Sequence, residues 1–306
     1  MQTGAIKKPL GAYIWNNKAF YLMMALPLIY YTVFCYFPMF GIVIAFKKYS
    51  ARLGFWASEW VGLQYFRTIF SSYDFPNAMK NTVLISLYRL AWGFPMPIIF
   101  SLLLNEIRNS KFKRVTQSIS YMPHFLSWVI IFGLVTAMLS LKGPVNSLIK
   151  FFGAEPIIFL QSTKHIRSVL VITGIWKELG WGTLLYLAAI ASVDMELYEA
   201  AIMDGAGRFK QTIYVTLPAI VPTITILLIL NTGSILNAGF EQIMLMTNDV
   251  NRPTIEILDT LTYRMGIVSG NYSYGAAAGL FKSAVGMCLI LFSNALSRRV
   301  GETSLL

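Results

Sequence analysis

The residues best equipped for chemistry lie where charge is costly. Lys177 and Glu178 fall inside the apolar stretch GIWKELGWGTLLYLAAI (174–190), and an ionisable group inside a long apolar run is a functional candidate by default. Neighbouring residues diverge by about 100° around a helix, so these two do not simply pair with each other. Thr173, Lys177 and Trp181 recur every fourth position and share one face. An aromatic ring beside hydrogen-bond donors suits a ligand with apolar faces and hydroxylated rims. The same residues would equally serve an ion pair between helices or subunits. Asn231 and Ser234 also share a face, either lining a polar cavity or bonding helix to helix. Arg89 and Lys282 lie near the ends of apolar runs, where long side chains snorkel to water. His124, after Pro123, reads as a packing or hydrogen-bonding histidine.

Catalytic patterns are missing from the sequence. His124 and His165 are far apart and no HExxH is present, so neither a metal site nor a catalytic residue is expected. Cys35 and Cys288 lie in apolar runs without redox or zinc spacing. No Gly-rich loop ending in Lys-Ser/Thr follows a strand, so no nucleotide or other cofactor is expected on this chain. The net charge of +11 comes from basic residues between apolar runs, without a basic stripe of interleaved aromatics. This points to membrane flanks rather than nucleic acid.

The elements that position these residues are helices in lipid. The chain has 306 residues, 56% of them hydrophobic and 13% charged; a soluble domain carries about twice that charged share. Crossing the hydrocarbon core takes about 20 mostly apolar residues. Six segments qualify, spanning 20–46, 78–104, 119–141, 169–191, 219–240 and 276–296. The expected fold is therefore an all-α integral membrane protein forming one domain over 1–306. The short basic stretch NEIRNSKFKR (105–114) favours both termini on the cytoplasmic side. The N-terminus has no signal-peptide pattern, so the first span is expected to persist. Tyr13, Ile14 and Trp15 beside Lys18 suit an interfacial segment.

Between the fourth and fifth spans, residues 194–218 read DMELYEAAIMDGAGRFKQTIYVTLP. Asp194 can cap a short helix whose first turn carries Glu196. Ala200 and Ala201 let another surface approach the backbone. Asp204-Gly205 supplies a helix stop, Phe209 and Ile213 form an apolar stripe, and Leu217-Pro218 is expected to end the second helix. This segment resembles the EAA loop of binding-protein-dependent ABC importers. The resemblance rests on Glu199-Ala200-Ala201, Asp204-Gly205-Ala206 and Val215-Thr216-Leu217-Pro218, with Val in place of the usual Ile at 215 and the aromatic early, at Phe209. The span at 174–190 and the opening LPLIYYTVFCYFPMFGIVIAFKKY are similar to sugar permeases of the LplB-like branch.

The resemblance implies a MetI-like permease of a bacterial cytoplasmic membrane, importing oligosaccharides by alternating access. It implies that Glu199, Ala200, Ala201, Asp204 and Gly205 form a cytoplasmic coupling helix that docks on an ATPase dimer. ATP and magnesium would then be used by that partner. It further implies a second homologous permease, an extracellular solute-binding protein and surrounding lipid as partners. Thr173, Lys177, Glu178, Trp181, Asn231 and Ser234 become candidates for the path of the sugar. The basic outer loops suggest an acidic cargo such as a uronate oligomer. Two rivals differ in class. An ion-coupled secondary transporter needs inverted repeats around mid-membrane carboxylates, and a membrane-embedded transferase needs clustered acids or metal-spaced histidines.

Overall fold

The computed structural model describes residues 10–233 and 235–300. Five helical stretches among them are long and apolar enough to cross a membrane: Lys18–Phe46, Asp74–Glu106, Trp128–Phe151, Arg208–Gly233 and Tyr272–Phe292. The Ile166–Ala191 helix, at 26 residues, is about 39 Å long at 1.5 Å per residue. It is more polar than the other five because Thr173, Lys177 and Glu178 interrupt it. A short helix, Leu10–Asn16, precedes the first stretch, and Lys18 lies 5.0 Å from the Trp15 ring centre.

Two expected spans need correction. The third, expected over 119–141, is broken. A helix over Ser110–Tyr121 gives way to a tight turn at Met122–Phe125, and a new helix starts at Trp128. The cause is local: Leu126 and Ser127 are extended, and the Ser127 hydroxyl accepts the Ile130 N–H at 3.4 Å, which marks a helix start. The fifth, expected over 219–240, ends at Gly233, and Phe240 opens a separate helix, Phe240–Met246. Gly239 joins them at φ 85°, a left-handed conformation that glycine adopts without strain. Ser234 lies outside the described residues. At its other end, the fifth helix runs unbroken from Arg208 through Leu217-Pro218. A widened π turn at Thr212–Thr216 absorbs the proline's missing N–H. Beyond helices, Lys47–Lys48 pairs antiparallel with Glu59–Trp60.

Two apolar clusters hold the bundle. One joins Ile85, Ile131, Val135, Ile166, Leu170, Ile243 and Ile257. The other joins Ala45, Ile69, Phe75, Ala78, Leu261, Tyr274 and Ala277. Asn81 clamps the Asp74 end: its Nδ2 donates to the carbonyls of Pro253 and Glu256, and its Oδ1 accepts from Arg167. Arg264 bonds Glu256 at 2.8 Å and Asp74 at 2.8 Å. Those carboxylates, Glu256 first, hold its guanidinium above its ordinary pKa. At the opposite end Arg208 meets Glu106 at 3.4 Å, so the basic stretch after Glu106 and the segment at 194–208 share one side.

The helices 110–121 and 166–191 touch backbone to backbone. A Cβ placed on Gly180 would lie 2.1 Å from the Ser120 carbonyl oxygen, and neither backbone can yield. Gly180→Ala should therefore cost about 1–3 kcal/mol and lower the melting temperature in detergent. Gly279→Ala, with nothing within 4 Å of the added carbon, should leave it unchanged; equal melting of both variants would refute the close approach.

Candidate functional site

A cavity of about 540 Å³ opens in the middle of the bundle. One wall comes from the Asp74–Glu106 stretch, with Ser86, Arg89, Gly93 and Pro97. The opposite wall comes from the polar helix, with Gly174, Glu178, Trp181 and Tyr186. Asn231 and Asn237 bound it from the fifth helix and the break that follows, and Trp128 stands at its edge. Wall and floor thus combine aromatic rings, amides and charges in the proportion that suits a hydroxylated ligand.

The three residues expected on one ligand-facing wall divide. Trp181 faces the cavity, and its ring stacks on His124 with centres 4.5 Å apart and planes 2° apart. Lys177 is buried and turns away from the cavity. Its Nζ donates to the carbonyls of Pro123 at 3.3 Å, His124 at 2.7 Å and Leu126 at 2.6 Å. Those carbonyls belong to the break in the third span; the Pro123 carbonyl also takes the Leu126 N–H at 3.2 Å, and a hydrocarbon surround offers no water to satisfy the rest. Lys177 therefore holds the break in place, which neither of the two sequence readings foresaw. Thr173 accepts from Gln242 Nε2 at 2.7 Å and lies beside a second, apolar cavity rather than this one.

Glu178 faces the cavity and lies 2.9 Å from His124 Nδ1. Asn231 faces it too, its amide donating to the Leu227 carbonyl at 2.8 Å. Arg89 and Lys282 do not snorkel. Lys282 donates to both Asp259 oxygens, at 2.6 and 2.8 Å. Arg89 turns inward to the cavity, where Nη2 donates to Gln242 Oε1. Gly239 makes room for it, since an added Cβ there would lie 2.3 Å from Nη1. Sequence spacing offered no route to this trio, because residues 89, 239 and 242 sit on elements far apart in the chain.

The second feature is the short helix Met195–Met203. Asp194 Oδ1 accepts the Glu196 N–H at 3.0 Å, satisfying an otherwise orphaned donor. The helix ends in a paired stop: Ala206 N–H reaches the Ala201 carbonyl at 2.9 Å and Gly205 N–H reaches Ile202 at 2.9 Å, with Gly205 at φ 74°. Glu199, Ala200, Asp204 and Gly205 are exposed and Ala201 is half-buried. Met203 and Phe209 stand out at 87% and 78% exposure. The expected apolar stripe of Phe209 and Ile213 is thus present and uncovered. Tyr198 anchors the helix through a 2.9 Å hydroxyl contact with Thr216.

An exposed, firmly capped helix between the Ile166–Ala191 helix and the apolar Arg208–Gly233 stretch matches the resemblance noted above, and family comparison decides the matter. Residues 93–302 match the family model described as the binding-protein-dependent transport system inner membrane component. The chain belongs to this family. This transport subunit is 48% identical over 291 residues to Protein LplB of Bacillus subtilis (strain 168), covering 95% of this chain and 92% of that protein. It is 46% identical to the polygalacturonan/rhamnogalacturonan transport system permease protein YteP of the same organism, covering 97% and 92%. Its fold is that of a chain in a bacterial alginate ABC transporter solved with an alginate pentasaccharide-bound periplasmic protein. There the TM-score is 0.89 and identity 37%, covering 97% of this chain and 100% of that one. The subunit is a multi-pass membrane transport component, not an enzyme, and both rival classes fall away.

Lys177→Met should remove one cation from three carbonyls and cost about 2–5 kcal/mol. The expected outcome is a clear drop in melting temperature of the detergent-purified subunit. Glu178→Gln, on a side chain 53% exposed, should shift it far less. Equal stability of Lys177→Met and wild type would show that the break holds itself.

Proposed function

We propose that this chain is one of two permease subunits of an ATP-driven importer for oligosaccharides, acidic ones in particular, in a bacterial cytoplasmic membrane. An extracellular binding protein delivers the cargo to the cavity, and separate ATPase subunits supply the energy. ATP and magnesium belong to those partners; this chain binds no cofactor. In this reading the Ile166–Ala191 helix is a sixth span, and both termini lie on the cytoplasmic side together with Glu106 and Arg208. The similarity to LplB and YteP along nearly the whole chain supports the sugar cargo. The polygalacturonan/rhamnogalacturonan named for YteP and the acidic polysaccharide alginate named for the solved transporter support its acidity.

The observation that carries the coupling role is the exposed helix Met195–Met203 with its fixed ends. Glu199, Ala200, Ala201, Asp204 and Gly205 form the face that docks into a groove on the ATPase. Met203 and Phe209 are apolar anchors for the same contact. ATP binding closes the ATPase dimer and carries this helix with it. The motion passes through Tyr198–Thr216 and Arg208–Glu106 into the fifth and second spans, both of which line the cavity. The cavity then opens towards the docked binding protein, and hydrolysis resets it. Glu178, Trp181 and Asn231 form the cargo path, with Trp181 as the stacking platform. Ser234, outside the described residues, is assigned to the same path on its sequence position alone. Lys177 and Thr173 act behind the wall, holding it in shape.

The test is co-purification of the wild-type complex beside Glu199→Ala and Gly205→Pro, with binding-protein-stimulated ATP hydrolysis measured in lipid. Stimulated hydrolysis should fall about ten-fold or more in both variants. Purification without any ATPase, and variants that behave as wild type, would sink the coupling role.

A further inference from the structure

Four other cations near the cavity and the Asn81 clamp each meet two or more acceptors. Arg264 meets Glu256 and Asp74, Lys282 meets both Asp259 oxygens, and Lys177 gathers three carbonyls. Arg167 donates to the Asn81 side-chain oxygen and the Thr254 carbonyl. Arg89 differs. Among the described residues its guanidinium bonds one neutral acceptor, the Gln242 amide oxygen. Its Nε is buried without a partner, as is the hydroxyl of Ser86 one turn away. Among the described residues no carboxylate lies within ion-pair distance of it, and the nearby Glu178 is taken by His124. A guanidinium removed from bulk water with five donors and one acceptor leaves most of its bonding capacity unspent. It does so in the wall of a 540 Å³ cavity.

The surroundings hold Arg89 in that state. Gly239 and Gly174 abut the guanidinium; a Cβ on Gly239 would strike Nη1 at 2.3 Å, and one on Gly174 would lie 3.9 Å from Nη2. Gln242 is itself fixed, its Nε2 donating to the Leu170 carbonyl at 2.9 Å and to Thr173 at 2.7 Å. The planar fork is thus presented in a set orientation, the geometry that pairs with a carboxylate through two parallel bonds.

We infer that Arg89 is the carboxylate-reading residue of the cavity: it pairs with the acid group of one uronate unit while Trp181 stacks on a sugar ring. Gln242 is its positioning residue. This rests on the proposal above that the cargo is an oligosaccharide, and it assigns selection for acidity to one side chain. The pairing is strengthened by the low dielectric of the cavity and is more salt-tolerant than a surface contact.

The experiment titrates the purified, detergent-solubilised complex with trigalacturonate and with its carboxyl-reduced, neutral counterpart, following tryptophan fluorescence. Trp128 and Trp181 border the cavity and report occupancy. Wild type should prefer the acidic trisaccharide, and Arg89→Gln should lower that preference about ten-fold or more. Arg89→Lys should restore part of it, since the charge returns without the fork. If Arg89→Gln weakens both trisaccharides equally, or neither, Arg89 does not read the carboxylate and the inference fails while the sugar cargo stands. If wild type binds neither, the sugar cargo fails and takes the inference with it.

Discussion

A hydrocarbon surround leaves no water to satisfy a broken helix, so every interruption of the backbone must be repaired from within the protein. Here the interruption at Met122–Ser127 is repaired by the Leu126 N–H on the Pro123 carbonyl and by one ammonium group. Lys177 reaches from the polar helix to three carbonyls of the break, with the Trp128 ring 5.6 Å from its charge. Without the break, the third span would run straight. His124 would then not lie flat on Trp181 or reach Glu178. One side of the cavity is thus held in shape by a charge that does not itself face the cavity.

The opposite side follows the same rule with different parts. The fifth helix ends at Gly233, and the chain turns at Gly239 into the helix Phe240–Met246. Gln242, on that helix, takes up the Leu170 carbonyl, Thr173 and Arg89 together. Beyond it, Asn251 bonds the carbonyls of Leu160 and Met246, and Asn146 does the same for Leu139, Ser140 and Ile157. Buried asparagines with both ends engaged give irregular chain a fixed shape. The irregular segments around Asn146 and Asn251 are therefore held in one shape by side-chain amides.

Much of this was legible from residue order. Long apolar runs announced the spans, and the helix-capping chemistry of Asp194 and the stop at Asp204-Gly205 fell where the sequence put them. What sequence did not yield were the breaks and the inward-facing charges. Pro218 looked like a terminator, yet a widened turn at Thr212–Thr216 carries the helix through it; Pro123 looked tolerable inside a span, yet Leu126 and Ser127 leave the helix just after it. The difference lies in what supports each site, a packed helix in one case and a lysine in the other. Arg89 was misread for a related reason. Snorkelling is a rule about distance to the boundary, and it is silent about a neighbour such as Gln242 that arrives from residues far along the chain.

The direction of force through the molecule follows from where contacts are stiff. The helix Met195–Met203 is fixed by the Asp194 side chain at one end and a backbone stop at the other, and is tied to the fifth helix by one hydroxyl pair. It projects Met203 and Phe209 away from the bundle. A displacement applied there cannot be absorbed by fraying, because cap and stop satisfy the terminal groups. It reaches the fifth helix at Thr216, beside the widened turn, where an extra residue per turn already relaxes the regular ladder. The turn is the compliant point between a stiff lever and the stiff apolar span that carries Asn231 to the cavity. Gly233, the last residue of that span, packs closely on the last helix, since a Cβ added there would lie 2.6 Å from Ile290 Cγ1. Under the coupling role proposed for it, motion entering at the exposed helix would be delivered to the cavity wall rather than lost in the loop.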